Sequence, residues 1–153
     1  METLAVVASI AAIIQISDRI IGVCKFYIES TSGTPSDLRT ILVEVSTLKS
    51  VLETVQFLQN CSHAASASAL WKQLLEHDGP VKECERSIAE LEKLFPSDRS
   101  HPAGSQSDSK RRKIQLLLAS LAWPLKARRA KELLEVIIQQ KTSMILALTA
   151  DSR

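Results

Sequence analysis

Glycine is scarce in this chain, with four residues in 153, and proline contributes only five. So few turn formers cannot supply the many tight turns of an all-β fold. Aromatic residues make up 4%, which leaves the interior to Leu, Ile, Val and Ala. The cysteines are three, Cys24, Cys61 and Cys84, and no CxxC pair occurs among them. An odd count without metal or redox spacing, each residue within a helical pattern, points to buried thiols in a reducing compartment.

Catalytic patterns are missing as well. The glycines at 22, 33, 79 and 104 are isolated, and no GxxxxGK run exists. No serine sits in GxSxG, and His63, His77 and His101 have no partner at metal-ligand spacing. The expectation is a non-enzymatic domain without cofactor or metal. A secretory leader is also not indicated. The only early charge is Glu2, where a leader carries a basic segment.

What is present is helical periodicity in a 45% hydrophobic chain, long enough to bury a core in one domain. The first helix is expected over roughly 3–28 and is apolar nearly all round. Leu4, Val6, Val7, Ile10, Ile13, Ile14 and Ile16 alternate with Ala5, Ala8, Ala11 and Ala12. Thr3 to Ser17 carry no charge, a length of about 22 Å as helix against a bilayer core of about 30 Å. This helix is therefore either a core element or a core element that can be released to a membrane.

The second helix has Thr34 as N-cap, Pro35 at its first position and Asp37 in its first turn. Its apolar stripe is Leu38, Ile41, Leu42, Val45, Leu48, Leu52 and Val55, ending near Gln59. The third helix reads in two pieces, Ala67 to Glu76 and the segment after Asp78-Gly79-Pro80. The latter carries Val81, Cys84, Ile88 and Leu91 opposite an acidic face of Glu83, Glu85, Glu90 and Glu92. Residues 96–109, with two prolines, one glycine and no apolar period, read as a flexible internal loop.

A fourth helix is expected after Lys110-Arg111-Arg112-Lys113. Trp123-Pro124 then predicts a kink or break, because proline removes a donor and disfavours helix at the preceding residue. A fifth helix follows from Leu125 to Thr149. The fold class is all-α, a four- to five-helix bundle over 1–150. Residues 151–153 read as the start of a linker to downstream domains.

Charge is unevenly spread. Residues 1–109 hold nine basic and fourteen acidic residues, and 110–141 hold nine basic and two acidic. The basic residues Lys110, Arg111, Arg112, Lys113, Lys126, Arg128 and Arg129 have two readings. They pair with the acidic face or stay solvated, or they meet anionic lipid headgroups. No aromatics interleave with Lys110–Lys113 and the pI is about 8.5, so nucleic acid is not expected as a partner.

Three segments together resemble a known family. Leu4-Ala5-Val6-Val7-Ala8-Ser9-Ile10 leads to Ile14-Gln15-Ile16-Ser17-Asp18-Arg19-Ile20. Pro35-Ser36-Asp37-Leu38-Arg39 precedes Glu44-Val45-Ser46-Thr47-Leu48. Leu121-Ala122-Trp123-Pro124-Leu125-Lys126 precedes Glu132-Leu133-Leu134 and Lys141. This order resembles the HeLo-like N-terminal domain of fungal STAND (NOD-like) receptor proteins. That domain is similar in plan to the bundle of the mixed-lineage kinase domain-like protein.

The resemblance implies a cytoplasmic cell-death effector that self-associates on activation and relocates to a membrane, with anionic lipids as a partner. It also implies nucleotide-binding and repeat domains later in the same polypeptide. It places membrane insertion on Leu4, Val7, Ala8, Ile10, Ala11, Ile13 and Ile14, and bundle organisation on Trp123 and Pro124. Ala122 and Ala127-Arg128-Arg129 depart from the family's usual residues. The competing reading is an interaction or autoinhibitory bundle with no membrane role. Ala8 and Ser9 are the positions expected to tolerate a charge if the membrane reading holds.

Overall fold

The computed structural model describes residues 2–30, 36–61, 79–95 and 106–151. They form four helices: α1 Glu2–Ser30, α2 Ser36–Cys61, α3 Pro80–Lys93 and α4 Gln106–Asp151. The expected helical piece over 67–76 and the Thr34-Pro35 start of the second helix lie outside the described residues.

Each helix carries a seam of buried residues at alternating spacings of three and four. In α1 it is Val6, Ile10, Ile13, Ser17, Ile20, Cys24 and Tyr27, and in α2 Leu38, Ile41, Val45, Leu48, Leu52 and Val55. In α3 it is Val81, Cys84, Ile88, Leu91 and Phe95, and in α4 Ala130, Leu134, Ile137, Lys141 and Met144. A 3.5-residue repeat keeps each seam facing its neighbours in a left-handed bundle. α1 packs on α2 and α3, and α4 closes the ring on the other side of both. The bundle is therefore square, and every helix keeps one face outward.

The start of α3 follows from its sequence. Gly79 is extended and Pro80 opens the helix, where its missing N–H costs nothing. Glu83 N–H closes the first turn on Gly79 O at 3.2 Å. At the other end Lys126 Nζ donates to Leu94 O at 3.2 Å, and Phe95 stacks on Trp123 with centroids 5.6 Å apart. The C-terminal end of α3 is thus clamped to α4.

Two expectations are corrected. The fourth and fifth helices are one helix, so Trp123-Pro124 is not a break between two helices. One helix bond is lost at the proline. The stretch that follows is held by the buried residues Ala130, Leu133, Leu134 and Ile137, which outweigh a single missing donor. The helix also begins at Gln106, so 106–109 is helical and not part of the loop. Lys110–Lys113 consequently lies within α4 and not ahead of it.

Candidate functional site

α1 is the element on which the functional reading turns, so its surroundings come first. Ile10 and Ile13 are wholly buried, and Ser9 is buried with them. Val7 is 44% exposed and Ala8 is exposed, while Ala11 and Ile14 lie at the boundary. The seven insertion candidates are thus split between two faces. Ile10 and Ile13 belong to the core, and Val7 and Ala8 face outward. The side chain of Leu4 lies outside the described residues. Of the two positions expected to tolerate a charge, Ala8 keeps that status and Ser9 does not, because its side chain points inward.

After Glu2 the next charge is Asp18, and here α1 is tied on both sides. Lys49 of α2 meets Asp18 at 2.5 Å, and it also reaches Glu53 at 3.7 Å. The hydrogen bond to Asp18 holds the Lys49 ammonium above the usual lysine range. Arg19 forks onto Glu92 of α3, with Nε and Nη2 at 3.3 and 3.1 Å from its two oxygens. These pairs are solvent-exposed and add orientation more than stability. Between them the Ser17 hydroxyl is buried with no hydrogen-bond partner among the described residues. Such a group costs about 1–3 kcal/mol. Six apolar side chains on the α1 seam offset it, at roughly 1.5–3 kcal/mol each when fully buried. Apolar burial, on the order of 10 kcal/mol in total, is what holds α1 down.

The acidic face of α3 is largely neutralised by its own helix. Glu85 pairs with Lys82, Glu83 with Arg86, and Glu90 with Lys93 at 2.9 Å. The Lys93 bond keeps the Glu90 carboxyl below the usual range. Glu92 is the one that Arg19 takes. On α4, Arg128 and Arg129 both turn to Glu132, and Lys126 goes to the Leu94 carbonyl. The second basic group is therefore paired along α4 and at the α3 terminus. The side chains of Lys110, Arg111, Arg112, Lys113 and Pro124 lie outside the described residues.

Trp123 is buried on α4 against Phe95, and its indole N–H has no acceptor among the described residues. Lys141 reaches across to Glu44 of α2, a nearly buried ion pair between helices. Sequence reading placed both residues in one motif but gave no partner for Lys141. The pairing of a core-seam lysine with Glu44, off the α2 stripe, needs the packed bundle to be seen.

Among the described residues, two helices are long and apolar enough to cross a membrane by length and composition. They are α1 over Ala5–Glu29 and α4 over Leu125–Ala150. The second was missed in the sequence. The run from Leu133 to Leu148, with Lys141 as its one charge after Glu135, was the available signal. Only 33% of the α1 stretch and 28% of the α4 stretch are buried, so both present apolar surface outward.

Cys24 on α1 and Cys84 on α3 are free and buried, and burial pushes both thiols up to about 12 from 9.0. The unfolded chain ionises them first. Their contribution is therefore complete below pH 9 and is lost as the pH rises toward 12. At pH 10 the two together cost roughly 3 kcal/mol of stability. Urea midpoints at pH 8 and 10 should differ by that amount more in the native chain than in a Cys24→Ala, Cys84→Ala variant. Equal pH sensitivity in the two proteins would contradict the burial.

Comparison with protein-family models, curated proteins and solved structures gives no match for this chain.

Proposed function

We propose that this domain is a HeLo-like cell-death effector of a fungal NOD-like receptor, acting by self-association and membrane permeabilisation through α1. The supporting observation is an apolar helix near the N-terminus that carries no charge from Ala5 to Ser17 and whose apolar stretch is only one third buried. Its release from one copy costs on the order of 10 kcal/mol, so a lone monomer stays closed. Several copies together recover that cost. Small residues at Ala5, Ala8, Ala11 and Ala12 let helices pack closely, and neighbours thin the bilayer around a short span. Nucleotide-binding and repeat domains of the same polypeptide would gather the copies. Anionic lipid would meet the basic residues of α4, and the change of place is from cytoplasm to membrane.

A second reading, an interaction or autoinhibitory bundle, is favoured by one observation. Ile10 and Ile13 are as deeply buried as any core residue.

The two are separated by dye release from vesicles containing anionic lipid. The chain is fused to a trimeric coiled coil and compared with a Val7→Glu, Ala8→Glu variant shown by circular dichroism to be folded. Release by the fused chain, reduced at least tenfold in the variant, is the expected result. No release from either protein, with both folded and trimeric, would replace the membrane reading by the interaction bundle.

A further inference from the structure

α2 has a second seam, on the face turned away from the core. Ser36, Thr40, Val43, Thr47, Ser50, Thr54 and Phe57 recur at spacings of four and three, and every one of them is exposed. Val43 and Phe57 stand 60% and 64% open. The buried seam has the same 3.5-residue period. A helix supercoiled to keep one seam straight keeps the other straight too.

No charged residue enters this face, which is unusual for the solvent side of a bundle helix. Four of its five hydroxyls are also turned inward. Thr40, Thr47, Ser50 and Thr54 each donate to the carbonyl four residues earlier, at 3.3, 2.7, 3.2 and 3.0 Å. With their donors spent on the backbone, they present methyl and methylene surface that can be covered without stranding a donor.

We infer that this face is where a second copy of the chain docks, α2 against α2, antiparallel about a two-fold axis at Thr47. Shape and charge both select this occupant. Antiparallel pairing about Thr47 sets Phe57 opposite Ser36 and Val43 opposite Ser50, large against small, and Thr40 opposite Thr54. Parallel pairing stacks Phe57 on Phe57 and leaves gaps at Ser36 and Ser50. Arg39 and Glu53 flank the seam on one side, seven residues either side of Ser46. The two-fold brings Arg39 of each copy to Glu53 of the other, twice, and Lys49 of the same helix reaches that Glu53 only at 3.7 Å. Parallel pairing would direct Arg39 to Glu44, which Lys141 already holds.

The strip is one helix wide, well below the ~800 Å² per partner of a stable dimer. Association is therefore weak, with a Kd on the order of 10–100 µM. It matters where other domains concentrate the copies. The face supplies the self-association that the proposed function rests on, but it is read out in solution without lipid.

Sedimentation equilibrium of the chain from micromolar to millimolar concentration should show a monomer–dimer equilibrium. Thr47→Arg puts two like charges on the axis and should raise Kd at least tenfold with unchanged circular dichroism. Arg39→Glu should weaken the dimer, and Arg39→Glu with Glu53→Arg should restore it. In a Cys61→Ser background, Thr40→Cys and Thr54→Cys chains should form disulfide-linked dimers when mixed and not when alone. A monomer at every concentration, or a dimer indifferent to Thr47→Arg, would overturn the interface. Linking of Thr40→Cys to itself would overturn its direction. Failure here leaves the dye-release result on forced trimers standing, and failure there leaves the dimer measurement standing.

Discussion

Ile10→Glu costs at least about 4 kcal/mol of stability, while Val7→Glu, three residues away, changes it by less than about 0.5 kcal/mol. The contrast follows from where the two side chains lie. Ile10 is 0% exposed on the α1 seam, among residues that face α2 and α3. A carboxylate there loses its hydration inside the hydrophobic core cluster. It must bind a proton or expel the helix, and either costs at least about 4 kcal/mol. Domains of this size are stable by about 5–15 kcal/mol, so the substitution consumes most of what there is. Ile10→Ala is the graded version, at about 3 kcal/mol through the cavity it leaves. Urea denaturation followed at 222 nm orders the three variants. A wild-type midpoint for Ile10→Glu would mean that α1 is not docked in solution, and the closed monomer would have to be abandoned.

The order of these effects also shows what the sequence discloses and what it withholds. The apolar periods of α2, α3 and the C-terminal half of α4 mark the core residues well, because burial repeats every 3.5 residues and the stripe is visible in the letters. Gly79-Pro80 marks the start of α3 for a local reason, and local reasons are legible. α1 is harder, since its residues are apolar on all sides and the pattern does not say which side faces in. Val7, Ala8, Ile10 and Ile13 look alike as letters and differ only after α2 and α3 are in place. Ion pairs between helices, such as Asp18 with Lys49 and Glu44 with Lys141, depend on the register of neighbours and have no signature in one strand of text. The outer seam of α2 was legible in principle. Its Ser and Thr residues read as neutral filler until their exposure and their bonds to the helix backbone are seen together.

Trp123-Pro124 misled for a physical reason that can be measured. A proline inside a helix removes the bond to the carbonyl four residues earlier, here Ser120, and its ring crowds that carbonyl. The usual cost is about 3 kcal/mol, which local rules turn into a break. In this chain α4 continues from Gln106 to Asp151, held downstream by Ala130, Leu134, Ile137 and Met144 and at Trp123 by the stack on Phe95. The helix thus carries the cost instead of avoiding it. Pro124→Ala should accordingly stabilise the domain, by about 1–3 kcal/mol, as the missing donor returns and the crowding goes. The gain should appear as a higher urea midpoint with unchanged dependence on denaturant, and with slower amide exchange at the positions flanking 124. If Pro124→Ala left stability unchanged or lowered it, the proline would be sitting at a real break that it favours. The basic half of α4 would then be a separate arm and not part of one rod anchored in the bundle.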